Sequence, residues 1–82
     1  MRFKRDKNIM SVDLHGTSAE NAKDLLLGWL SNAPSSVTEL RVIHGNNHGT
    51  VLKDMVWQEL THSKISAKLH SLNPGETRII LK

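Results

Sequence analysis

Three histidines in this chain could carry acid–base chemistry, and each stands directly before a glycine: His15-Gly16, His44-Gly45 and His48-Gly49. Imidazole gains and loses a proton near neutral pH, its unperturbed pKa being about 6.5. Two such groups at one phosphate can cleave a phosphodiester, one taking a proton and the other giving one. His15 with His44 or His48 supplies the residue types. Asp13, two residues before His15, can orient an imidazole or hold a divalent cation. A single carboxylate is a poor magnesium site, so Mg2+, if it takes part, needs substrate phosphate as a further ligand. The pair His44 and His48, four apart in a loop, is too little for a zinc site, and no metal ligands are assigned.

The stretch from Gly45 through Asn46, Asn47, His48 and Gly49 to Thr50 joins an apolar run to a helix-like pattern. Strand, glycine-rich loop and helix start aim backbone N–H groups and a positive helix end at an anion. Lys53 lies in the first turn beyond. The loop is no P-loop, because Gly-Lys-Ser/Thr is absent, and no dinucleotide fingerprint, because Gly-x-Gly-x-x-Gly is absent. The glycines also permit turns with positive φ.

The elements that must position these residues follow from periodicity. Residues 1–8 (Met1 to Asn8) are polar and basic without a period, which reads as a flexible arm, with Phe3 and Ile9 able to pin it to the body. Ile9 to Leu14 alternates, with Val12 and Leu14 on one face and Asp13 on the other. Thr17-Ser18-Ala19-Glu20 has the form of a capping box, with Thr17 as N-cap. A helix to about Leu30 then shows Ala22, Leu26, Trp29 and Leu30 near one stripe. Val37 to Ile43 is a second strand. His15 and His44 are one βαβ unit apart, about 30 residues. A right-handed crossover makes these strands parallel and brings both His-Gly pairs to one sheet edge, where open α/β sheets place ligands. A second helix runs from Thr50, its N-cap, to about Leu60, with Val51, Leu52, Met55, Val56 and Leu60 as its stripe. Ile65 to Leu72 and Thr77 to Leu81 flank an Asn73-Pro74-Gly75-Glu76 turn as a hairpin. The order of residues 9–82 is βαβαββ: an α/β chain forming a two-layer sandwich, four strands with both helices on one face.

Composition narrows the function. Eleven Lys and Arg against eight Asp and Glu give +3 and a pI near 9.6, a lean towards polyanions. The absence of cysteine removes disulfides, thiolate metal sites and cysteine nucleophiles, and fits a cytoplasmic protein. No apolar run reaches the roughly 18 residues of a membrane span, and no apolar stretch follows the basic start, so neither a membrane nor a secretory signal is expected. At this size one small domain is expected, as a monomer.

Alternation assigns Asp13, Arg41, Lys68, His70 and Arg78 to the sheet face away from the helices. That face is expected to be net positive and suited to a phosphate backbone, DNA or RNA. Phe3, Trp29 and Trp57 fall elsewhere, which argues against base stacking on the sheet. His62 and His70 read as solvated.

Val12-Asp13-Leu14-His15-Gly16 resembles the Leu-Asp-Leu-His-Gly motif of the Smr (small MutS-related) domain. Val42-Ile43-His44-Gly45, the turn after it, and Thr50-Val51-Leu52-Lys53 resemble the family's second motif, and Gly75 to Lys82 is similar to its last strand. The resemblance covers about residues 10–82. It implies a βαβαββ sandwich like the C-terminal domain of a bacterial translation initiation factor, strand order 1-2-4-3. It also implies nucleic-acid binding and nicking or endonucleolytic cleavage of DNA or RNA. Asp13, His15 and Gly16 fit the first motif, and His44 and Gly45 the second. Asn47 stands where the family often has glycine, and His48 adds an imidazole many bacterial members lack. Taking residue types, loop composition and strand alternation together with the resemblance, the expected catalytic set is Asp13, His15, His44 and His48. The expected contacts to nucleic acid are Gly16, Arg41, Gly45, Asn46, Asn47, Gly49, Thr50, Lys53, Lys68 and Arg78. Binding without catalysis, as a module for structured DNA or RNA, is the alternative.

Overall fold

A computed structural model of the chain describes residues 2–45 and 49–82. Five strands form one mixed sheet: β1 (Arg2–Asp6), β2 (Ile9–Asp13), β3 (Glu39–Ile43), β4 (Ile65–His70) and β5 (Glu76–Leu81), in the order β1-β2-β3-β5-β4. Without β1 this is the expected 1-2-4-3 order. Strands β2 and β3 are parallel and the other pairs antiparallel. Helix α1 (Ala19–Ser31) supplies the crossover. Helix α2 (Val51–Asp54) runs into a π-helical segment (Met55–Glu59) between β3 and β4.

The period-2 pattern places Val12, Leu14, Leu40, Val42, Ile79 and Leu81 against one layer of helices. There they pack with Ala22, Leu26 and Leu30 of α1 and with Met55, Val56 and Leu60. The result is the two-layer α+β sandwich expected. Val51, expected in that stripe, is instead 68% exposed. Among the described residues no helix is long and apolar enough to cross a membrane.

Several further local expectations are corrected. The amino-terminal stretch is not an arm but an edge strand, which makes the sheet five-stranded. It pairs with β2 through a two-residue turn at Lys7-Asn8, and Lys7 takes φ 58° there. Phe3 stacks on Trp29 with centroids 6.1 Å apart, so the one apolar side chain of β1 fixes it to the helix layer. The cap of α1 is Ser18 rather than Thr17: its side chain accepts from the Asn21 N–H, and the Glu20 capping box does not form.

Another correction concerns the sheet face. A β-bulge between Ile65 and Ala67 shifts the alternation of β4 by one residue. Lys68 and His70 therefore turn towards the helices and Leu69 towards the open face. Lys68 Nζ donates to Leu60 O at 2.6 Å, closing the carbonyl end of the second helix, and burial lowers its pKa. His70 stacks on Trp57 at 4.4 Å. His62 is no solvated residue either: its ring nitrogens meet Ser31 Oγ and the Lys64 N–H, tying α1 to the start of β4.

Candidate functional site

The open face carries Arg2 and Lys4 from β1, Arg41 from β3 and Arg78 from β5, but also Asp6, Asp13, Glu39 and Glu76. Cations and anions balance, so the expected net positive face does not form. Glu39, almost buried, accounts for much of this. Its carboxylate takes Arg41 Nε at 2.7 Å and Arg78 through Nε at 3.1 Å and Nη2 at 2.9 Å. The Arg78 contact, followed by that of Arg41, holds the Glu39 pKa below the usual carboxylate range despite burial. Both arginines remain more than a third exposed, and with Lys4 and Ser11 they form a row across four strands.

The sheet edge where β2 and β3 end is built differently. The Leu14 N–H extends the parallel ladder to Ile43 O at 2.9 Å, and the chain then turns, Thr17 N–H bonding Leu14 O. Gly16 permits this with φ 78°. Inside the turn, Asp13 Oδ1 accepts the His15 backbone N–H at 3.0 Å and lies 2.9 Å from His15 Nδ1. The backbone bond, then the ring bond, lower the Asp13 pKa. A carboxylate only accepts, so Nδ1 carries the hydrogen and the other nitrogen, Nε2, is left as the acceptor. The His15 side chain is 85% exposed. An oriented imidazole with its basic nitrogen open to a ligand is the arrangement general acid–base catalysis needs.

His44 is in the opposite situation, only 6% exposed. Nδ1 lies 2.9 Å from Gly45 O, which can only accept, so Nδ1 carries the hydrogen. Nε2 then accepts from Thr77 Oγ1 at 2.8 Å, and Thr77 Oγ1 in turn accepts Trp57 Nε1–H at 2.9 Å. Trp57 reaches this position from the π-helical segment, whose wider turn is closed by Leu60 N–H on Met55 O. A relay of three hydrogen bonds thus runs from Trp57 through Thr77 and His44 to Gly45. With both ring nitrogens engaged, His44 does not fit the expected role of a second proton carrier. It fixes the backbone at the start of the glycine loop.

That loop is also held from β5. Gly75 O accepts the N–H groups of both His44 and Gly45 at 2.9 Å. A Cβ on Gly75 would meet the Gly45 Cα at 3.2 Å, so the close approach needs glycine. Gly45 (φ 74°) and Gly49 (φ 90°) need it for their backbone angles.

Together these loops wall a cavity of about 380 Å³, lined by His15, Gly16, Ile43, His44, Gly45, Gly49, Val51, Leu52, Asn73 and Gly75. The two His-Gly elements therefore share one site, as the parallel crossover required. Arg41 and Arg78 lie on the open face, Lys68 on the helix side, and Thr50 and Lys53 outside the lining. Thr50 heads α2 without a side-chain cap and donates instead to Asp54 Oδ2 at 2.9 Å. The expectations for Asn46, Asn47 and His48 fall outside the described residues. Sequence reading missed Thr77, Trp57, Glu39 and Gly75. Glu39 left a signal, being two residues from Arg41 on the same strand face, and Gly75 left one in its turn, whereas Thr77 and Trp57 left none.

For magnesium, Asp13 beside the first loop is already engaged by the His15 backbone and ring. Among the described residues no three His, Cys, Asp or Glu side chains converge to hold a metal ion. The described groups do not fit a magnesium cage.

None of the curated proteins compared with the chain matches it. The model of one protein family does, the Smr domain, over residues 12–78. That span runs from β2 to the middle of β5 and takes in both His-Gly loops. By this match the chain belongs to the Smr domain family, a nucleic-acid-binding and nuclease-like family.

Proposed function

We propose that the protein is a monomeric endonuclease that nicks DNA or RNA phosphodiesters at the cavity between the two His-Gly loops. The observation that carries this reading is the Asp13–His15 pair: a fixed carboxylate, an oriented ring, and an exposed Nε2 beside a cavity. In the reaction Nε2 takes the proton of the attacking hydroxyl or water while the phosphorus–oxygen bond breaks, and solvent protonates the leaving oxygen. Asp13 stabilises the imidazolium that forms. His44, Thr77 and Trp57 hold Gly45 in place. Lys4, Arg41 and Arg78 take the flanking phosphates.

Supercoiled plasmid and structured RNA, each incubated with and without magnesium, test this. His15→Ala should slow cutting by about 10²- to 10⁴-fold. Equal cutting by both proteins, or none by either, sinks the endonuclease reading. A second reading, binding without turnover, is favoured by one observation: His15 is the one imidazole of the site, among the described residues, with a nitrogen not engaged by the protein. That reading expects a log–log salt plot of affinity with a clear negative slope and no product.

A further inference from the structure

The described lining of the cavity suits a flat ring better than a phosphate, which fits better at its mouth beside His15. Among its described lining residues there is no Lys, Arg, Asp or Glu. The side chains are Ile43, Val51 and Leu52, with two imidazoles and the amide of Asn73. Gly16, Gly45, Gly49 and Gly75 present bare peptide planes. An anion cradle needs cations or converging N–H groups. Of the lining N–H groups, those of His44 and Gly45 are turned away from the cavity onto Gly75 O, and the Asn73 amide oxygen is taken by the Gly75 N–H. Val51 is 68% exposed and Ile43 also opens to solvent, so apolar surface is displayed at a polar protein's functional edge. The volume lies near the lower end of the range that small-molecule sites occupy, about 300–1,000 Å³.

We infer that the cavity is a nucleobase pocket, which takes the base of an unpaired or extruded nucleotide and so places the adjoining phosphodiester at its lip, against His15. This rests on the endonuclease or binding reading for the His15 end of the site and adds the substrate class. A fully paired duplex keeps its bases stacked and cannot fill the pocket. A bulge, mismatch or single-stranded junction can, because the cost of exposing the base is already met. The apolar side chains and bare peptide planes receive the ring face, the Asn73 amide nitrogen can donate to a ring or carbonyl acceptor, and Ile43 leads out to Arg41 on the same strand.

The test uses fluorescein-labelled hairpins, one set DNA and one RNA, each with a single-nucleotide bulge that is 2-aminopurine, adenine or abasic. A fully paired hairpin is the fourth member. Affinities come from anisotropy at one fixed salt concentration, since backbone contacts vary with salt. Base-bearing bulges should bind about 5- to 150-fold tighter than the abasic bulge, the range that base stacking supplies. The 2-aminopurine emission should change on binding. Val51→Gln, at an exposed position that tolerates it, should remove most of that difference while leaving abasic affinity within about twofold. The DNA and RNA sets show which backbone carries the base. Equal affinity for abasic and base-bearing bulges, or equal weakening of both by Val51→Gln, overturns the pocket. His15→Ala separates the two readings. If it still distinguishes base from abasic but cuts like the parent, the pocket stands and the catalytic role of His15 fails. If it loses cutting and base never mattered, the reverse holds.

Discussion

Thr77→Val tests whether the interior relay is what fixes the glycine loop. Thr77 is 1% exposed, and its hydroxyl donates to His44 Nε2 at 2.8 Å and accepts from Trp57 Nε1 at 2.9 Å. Valine keeps the volume and the β-branch and removes only the oxygen. Two hydrogen bonds are lost, each worth about 0.5–1.5 kcal/mol net. The half-buried indole can recover a water. His44 Nε2 is walled in and cannot, which sets the loss near the upper part of that sum, about 2–3 kcal/mol. For 82 residues the total stability expected is about 4–12 kcal/mol, so the variant stays folded. In a domain of this size 1 kcal/mol moves the Tm by about 4–8 °C, so the Tm should fall by roughly 10–20 °C. Urea unfolding followed by tryptophan fluorescence measures it. Thr77→Ser, which retains the hydroxyl, should lose about 1 kcal/mol or less, the share of a single buried methyl. Imidazole ¹⁵N spectra should show His44 carrying its proton on Nδ1 in the parent. A Thr77→Val loss below about 0.5 kcal/mol, or a His44 proton on Nε2 in the parent, refutes the relay.

Other outcomes follow from the same geometry. Glu39 has a depressed pKa, so the stability it confers is present above the usual carboxylate range and is lost as pH falls through its folded pKa. Between pH 7 and pH 3 the parent Tm should fall more steeply than that of Glu39→Gln, and parallel curves would remove the Glu39 contribution. Lys68→Met should cost about 1–2 kcal/mol through the lost bond to Leu60 O, yet leave the salt slope of nucleic-acid binding unchanged; a shallower slope would return Lys68 to the contact face. Lys7→Gly should raise stability by up to about 1 kcal/mol in thermal unfolding, because lysine at φ 58° pays a left-handed penalty that glycine avoids.

Much of this was legible because it depends on short-range pattern. Val12 and Leu14, Leu40 and Val42, and Ile79 and Leu81 alternate cleanly, and a crossover of one βαβ length forces His15 and His44 to one edge. What stayed hidden depends on partners far along the chain. Strand β1 faces solvent along most of its length, so Arg2, Lys4, Arg5 and Asp6 carry no alternation to read, and only Phe3 hints at a face. The bulge at Ile65 and Ala67 inverts Lys68 and Leu69 without any local mark such as glycine. His44 looks as available as His15 until Thr77 and Trp57, 33 and 13 residues away, close on it. Loop composition likewise does not record that Gly75 O takes the N–H groups of His44 and Gly45.

Strand β1 lies ahead of the region the Smr family model matches. Without it, β2 would be an outer strand beside the functional edge, with Met10 and Val12 bordering a row of unpaired backbone groups. Such a strand is a template for the next copy of the same sheet. That row is instead occupied by β1, so the outer edge of the sheet is a short strand bearing Lys4 and Arg5, charges of the kind that discourage edge-to-edge pairing.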